Sequence, residues 1–451
     1  MTGSQDRSES SADEDGVNTS RGLRTYYALL ITESVSLLGS LVSGLVVSIS
    51  IFRETGQATP LALVEFFSIL PVIVTSGFSG ALADRFDRRL LMLVANVGFV
   101  LCSSLLLLTF ASDAFRLWHL YAFSCASGLF AALQRPAFQA SVTMLVPDGL
   151  RDKANAWGQL TGPAARVIAP AIAALLFASI GIVGAIALDI LTFVAAIVVL
   201  FMVRIPTPQA TEEGRSLGGS IWRQAFDGFR YLLARPALFF LVAHSSLVTF
   251  LVFGALVLGT PYVLARTGSE TQFGWVLVAL NVGAVTGAIV MGAWGGTKPR
   301  VHTVFPGWII AGVFLVLAGV AQGAVMLAAT FFAFMFARPF IDAAGLSILQ
   351  MKIAPDVQGR VFAAIGQITS MLAALAFLIA GPLADNVLEP ARNLPVWSAV
   401  GWAVGTTPGS GMGLLLVVSG ALTVLISLAF YLVPAIRRVE SALPGYVPAA
   451  K

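Results

Sequence analysis

Long apolar runs recur along almost the whole chain, from Tyr26 to Val433, and each is closed by a short polar turn. A segment that crosses the hydrocarbon core of a bilayer needs roughly 20 predominantly apolar residues. Twelve such runs are read, near 26–52, 60–83, 90–110, 116–144, 155–177 and 183–203, then 237–265, 271–295, 303–322, 324–351, 362–385 and 411–433. The expected fold class is an all-α membrane protein. Composition agrees: 57% of residues are apolar and 11% charged, whereas a soluble domain carries about 25% charged residues.

One long polar stretch interrupts the series. It holds Glu212, Glu213 and the arginines 204, 215, 223, 230 and 235. The chain is therefore divided into a disordered cytoplasmic tail (1–25), a first six-helix bundle (26–203), a cytoplasmic linker (204–236), a second six-helix bundle (237–433) and a cytoplasmic tail (434–451). Within the linker, residues 222–233 are amphipathic and suit a membrane surface.

Charge fixes the orientation. With the N-terminus inside, the cytoplasmic turns hold Arg85, Arg88 and Arg89, then Arg151 and Lys153, Lys298 and Arg300, and Lys352 and Arg360. The outer turns hold only Arg53, Arg116, Arg266 and Arg392. Basic residues favour the cytoplasmic side, so a multi-pass protein of the cytoplasmic (inner) membrane is expected, with both termini cytoplasmic. The net charge of +4 follows from these loops and does not argue for nucleic acid. Trp397 and Trp402, in the long outer loop after Asp385, are expected at the outer interface.

The two halves echo each other. Pro147-Asp148 and Gly158-Gln159 recur at one offset as Pro355-Asp356 and Gly366-Gln367, and Arg135-Pro136 recurs as Arg338-Pro339. A duplicated six-helix unit predicts two pseudo-symmetric bundles with a substrate path between them.

Charges inside spans are costly, about 2.5–3.5 kcal/mol at a helix centre on insertion scales, and normally face a cavity, pair, or carry protons. Glu33 is the sharpest proton-coupling candidate, since burial disfavours the charged form of a carboxyl group; Asp189 and Asp342 follow. Asp189 has Arg166 on the neighbouring span as an alternative partner. Asp342 follows Arg338 by four residues and so shares its helical face. Arg135, Arg166, Arg338 and Glu65 are candidate cavity or gating charges, with Glu65 near the outer end of its helix. Two helix-bend segments stand out, Gly162-Pro163 with Ala169-Pro170, and Gly381-Pro382, because proline bends a helix and small neighbours admit close approach. Gly283 and Gly287 read as packing. No cofactor or metal motif is present: the three histidines lack metal spacing, and none of the four lysines follows a glycine, so no phosphate-binding loop exists.

Between the second and third runs stands Gly80-Ala81-Leu82-Ala83-Asp84-Arg85-Phe86-Asp87-Arg88-Arg89. This segment resembles the loop signature of the major facilitator superfamily, departing from it at Asp87, where the pattern has glycine. Ser36-Leu37-Leu38-Gly39, Arg135-Pro136-Ala137 and Gly381-Pro382-Leu383-Ala384-Asp385 resemble its macrolide-efflux and enterobactin-exporter branch. Arg166-Val167-Ile168-Ala169-Pro170 is similar to a form of the antiporter signature, with Ala169 in place of glycine. The resemblance implies the major facilitator fold and a secondary transporter, not an enzyme. It implies proton-coupled export of a small amphipathic molecule by alternating access, with Gly80, Asp84, Arg85, Arg88 and Arg89 forming a conformational latch. The expected partners are the small-molecule substrate, protons and the lipid bilayer, and the expected state is monomeric. An importer or lipid transporter on the same fold is the alternative, and a membrane enzyme or receptor-like scaffold a remote one.

Overall fold

The computed structural model describes residues 5–85, 87–147, 150–203, 229–354, 357–438 and 440. Of 5–21, 76–85, 140, 143, 151–153, 155–156, 159, 178 and 435 it describes the backbone alone. Most of the expected linker, 204–228, lies outside the described residues, as does most of the final tail.

Every described element is helical. In chain order they are α1 (Gln5–Thr55), α2 (Thr59–Arg85), α3 (Arg88–Ala111), α4 (Leu117–Leu145), α5 (Arg151–Ser179), α6 (Gly181–Met202), α7 (Pro236–Leu256), α8 (Gly259–Thr267), α9 (Glu270–Trp294), α10 (Val301–Gly319), α11 (Ala324–Lys352), α12 (Gln358–Leu383) and α13 (Ser410–Leu432). With α7 and α8 taken as one span, each expected run coincides with a helix. Among the described residues, ten helical stretches are long and apolar enough to cross a membrane. The described part of α2, Thr59–Thr75, is a further apolar helix, and α4, carrying His119, Gln134 and Arg135, completes twelve. The polar residues ahead of Gly22, expected as a disordered tail, continue α1 from Gln5; extending an existing helix needs no new nucleus.

The helices present one face to lipid and one to protein. On α3, Leu90, Val94, Val97, Leu101, Leu105 and Leu108 are exposed at spacings of three or four, while Leu91, Met92, Ala95, Ser103 and Leu106 are buried. That stripe is the 3.6-residue period with its apolar side turned outward, as suits a helix packed against hydrocarbon.

Contacts divide the chain into two compact units: Met1–Val46 with Val74–Gly218, and Val47–Ile73 with Gly219–Lys451. The hairpin joining α1 to α2 thus groups with the second unit, although by sequence it belongs to the first bundle. The first unit's core joins Tyr26, Leu29, Met92, Ala137, Leu145 and Leu200, tied by the Tyr26 hydroxyl donating to the Ala154 carbonyl at 2.6 Å. A second cluster packs Val42 and Val46 against Ala169, Ala173 and Ala185, so the Ala169-Pro170 segment is tightly packed. Gly162 is not, as a Cβ there would meet nothing within 4 Å.

The second unit is held by backbone-to-backbone seams. A Cβ at Gly283 or Gly287 of α9 would strike the carbonyl oxygens of Phe332 and Phe336 on α11. Gly312 and Gly319 of α10 meet Gly420 and Gly413 of α13 reciprocally, each glycine lying against its partner's carbonyl oxygen. Seven residues separate the glycines along each helix, which is two turns and therefore one face. Small residues let helices approach closely in lipid, where packing rather than water expulsion drives association. The α9–α11 seam follows from the Gly283 and Gly287 reading; the α10–α13 seam has no motif in one continuous segment that announces it.

Candidate functional site

The candidate charges fall into three settings. Glu33, on α1, is half-buried, and the Gln134 amide of α4 donates to both of its carboxylate oxygens at 2.8 Å. Gln134 was not anticipated. The neighbouring Arg135, which sequence position favours, is exposed instead, because adjacent residues on a helix point about 100° apart.

Asp189, on α6, is 4% exposed. The Ser40 hydroxyl donates to its Oδ1 at 2.9 Å and the Ser103 hydroxyl to its Oδ2 at 3.3 Å. The alternative partner Arg166 is exposed on α5, and Asp189 is served by hydroxyls. The Ser36–Gly39 segment explains why: the Ser36 hydroxyl donates to the Thr192 carbonyl at 3.2 Å, and a Cβ at Gly39 would meet Thr192 Oγ1 and Asp189 Oδ1. Gly39 therefore lets α1 sit against α6 at the level of the buried acid.

In the second unit, Arg338 and Asp342 of α11 form the i,i+4 pair, Nη2 to Oδ1 at 3.3 Å, and the Arg338 guanidinium lies 4.7 Å above the Trp308 ring of α10. Pro339 inside the helix does not prevent it. The repeat is not symmetric in chemistry, since four residues after Arg135 stands Gln139. Asp342, but not Arg338, lines a cavity of about 240 Å³ where α7, α10, α11 and α12 converge.

The loop signature is described only in part. Of Gly80, Asp84 and Arg85 only the backbone is described. Asp87, the departure from the family pattern, caps α3, accepting from the backbone N–H groups of Arg89 at 2.8 Å and Leu90 at 3.4 Å. An N-cap carboxylate satisfies orphan donors and suits the positive end of the helix. Arg89 reaches the other kind of terminus: its Nε donates to the Leu200 carbonyl at 2.8 Å and its Nη2 to the Phe201 carbonyl at 3.0 Å, at the end of α6.

The Gly381-Pro382 segment forms a joint. Pro382 lies in the last turn of α12 and a π-helical turn, Ala384–Leu388, follows it. Asp385, in that turn, accepts from the N–H groups of Ala58 at 3.0 Å and Thr59 at 2.6 Å, and from the Thr59 hydroxyl at 2.6 Å. It caps the start of α2 from another helix. Gly381 permits the approach, because a Cβ there would meet Thr59 and Ala62. An ion pair between Arg53 and Glu270 holds the same hairpin. Glu65, further along α2, is exposed. Of the two tryptophans expected at the outer interface, Trp402 is exposed. Trp397 is buried and donates through Nε1 to the Gly405 carbonyl at 2.9 Å, so it folds the loop after Asp385 on itself.

Helices with exposed apolar stripes, and a few polar groups tucked between them, mark a polytopic membrane protein. Residues 29–376 match the profile of the Major Facilitator Superfamily, and the chain belongs to that family. Among relatives, macrolide efflux protein A of Streptococcus pyogenes is 24% identical over 80% of this chain and 90% of its own. The enterobactin exporter EntS of Salmonella typhimurium is 26% identical over 63% of this chain and 66% of its own. Among solved structures, a bacterial homolog of the human lysosomal transporter Spinster, inward-facing and unoccupied, superposes with a TM-score of 0.71 at 15% identity, covering 95% of this chain and 99% of that one.

Proposed function

We propose that this transporter exports a small amphipathic molecule from the cytoplasm, driven by protons, through alternating access in the inner membrane. Its termini lie in the cytoplasm and it works as a monomer. The observation that carries the reading is the setting of Glu33. It is an acid within a span, half-buried, and held by a neutral amide from Gln134 rather than by a cation. A carboxylate without a fixed positive partner can accept a proton without breaking an ion pair, which is what a coupling group must do on every cycle. Asp189, enclosed by hydroxyls, reads as a structural anchor, and Asp342 reads as a substrate-side group. The names of the relatives support export as the direction, and the charge asymmetry of the loops supports the orientation.

The test is Glu33→Gln in proteoliposomes with an imposed proton gradient. The variant is expected to lose uphill transport, with downhill exchange and thermal stability close to wild type. Uphill transport at the wild-type rate would overturn the assignment. Oriented vesicles with the gradient reversed decide between export and import.

A further inference from the structure

We propose that the cavity of the second unit is a subsite for the cationic head of an amphipathic substrate, with Asp342 as its counter-ion and Arg338 as an internal competitor. The proposal deepens the transporter reading and rests on it only for the role of the bound molecule as cargo.

Four helices build the cavity, and the residues of α7, α11 and α12 that line it recur at helical spacing, so each helix gives it one face. The polar lining is Asp342 with the hydroxyls of Ser245, Ser246, Thr249 and Thr369, and the other walls are apolar, Trp308 among them. No lysine or arginine among the described residues lines it. Gly345, one turn beyond Asp342, keeps the space open, because a Cβ there would meet nothing within 4 Å. A pocket of this kind, mostly apolar with a few convergent polar groups, suits a small organic ligand. The one lining charge is negative, which selects a cation and repels a carboxylate or catecholate.

Arg338 does not cancel that charge firmly. Its contact to Oδ1 is 3.3 Å, longer than the about 2.7–2.9 Å of a strong charge-assisted bond. The Asp342 side chain is 60% exposed, and Arg338 Nη1 is buried with no hydrogen-bond partner among the described residues. The guanidinium already rests on Trp308, and an aromatic face can hold a cation once its carboxylate is taken. An incoming ammonium group can therefore take Asp342 while Arg338 stays on the indole. Its apolar body would lie along α7 and α12.

Equilibrium binding to purified protein in detergent tests this without any gradient. The probes are benzyltrimethylammonium, a permanent cation, and benzyl alcohol, a neutral compound of similar body. Asp342→Asn is expected to weaken the cation about tenfold or more and to leave the alcohol unchanged. Arg338→Gln is expected to tighten the cation about twofold, the worth of a weak i,i+4 pair. Gly345→Val fills the cavity and is expected to abolish binding of both. Benzyl alcohol binding and the melting temperature report whether each variant is folded. Equal weakening of both probes in folded Asp342→Asn, weaker cation binding in Arg338→Gln, or unchanged binding in Gly345→Val would each overturn the proposal. Failure of Glu33→Gln to uncouple transport would leave these results standing, so the two readings fail separately.

Discussion

Glu33 and Asp189 are both acids within spans of one unit, and their neighbours set them apart. The Asp189 carboxylate takes its hydrogen bonds from Ser40 and Ser103 in a buried site, and a buried charge that loses a donor bears the full desolvation cost. Ser103→Ala is therefore expected to lower stability by about 1–3 kcal/mol, read as a fall in melting temperature in detergent, with transport per folded molecule retained. The acids themselves were legible in the sequence, because a charge in an apolar run is conspicuous. The Arg338–Asp342 pair was legible too, because four residues make one helical turn. Gln134 and Ser103 were not. They meet their acids across helices, and which face a helix turns to its neighbour depends on packing that no local spacing records. Asp87 was visible only as a departure from a family pattern, and its value as a cap emerged with the start of α3.

Among elements, the ends do much of the organising. Arg89 closes α6, Asp87 opens α3, and Asp385 opens α2 from the end of α12. Replacing an N-cap costs about 0.5–2 kcal/mol. Asp385→Ala is expected to fall in that range or somewhat above it, since it removes three hydrogen bonds at once. Faster proteolysis or cysteine labelling of the 53–59 turn in folded protein would report the loss, and an unchanged rate would show that the cap does not hold the hairpin. The spans were legible as elements because twenty apolar residues have few other fates. The π-helical turn after Pro382 was legible only as a bend, and the contact it makes with Thr59 joins residues more than 300 positions apart.

For the whole molecule, lipid as solvent and loop charge as compass give a topology that labelling can check. In a background with Cys102→Ala and Cys125→Ala, Ser216→Cys in the linker is expected to react with an impermeant maleimide only in inverted vesicles, and Ser112→Cys only in right-side-out ones. The reverse pattern would invert the orientation. The twelve-helix order was legible from end to end, whereas the grouping of Val47–Ile73 with the second unit was not, since chain order says nothing of which neighbours a hairpin chooses. The glycine seams have a mechanical meaning beyond holding helices together. Hydrostatic pressure destabilises a fold in proportion to the empty volume it can eliminate. Where Gly312 and Gly319 lie on the carbonyls of α13 the two backbones are in contact, whereas the space beside Gly345 is a cavity of about 240 Å³. Compression is therefore expected to quicken amide exchange first around Asp342, with the α10–α13 seam the last part of its unit to yield.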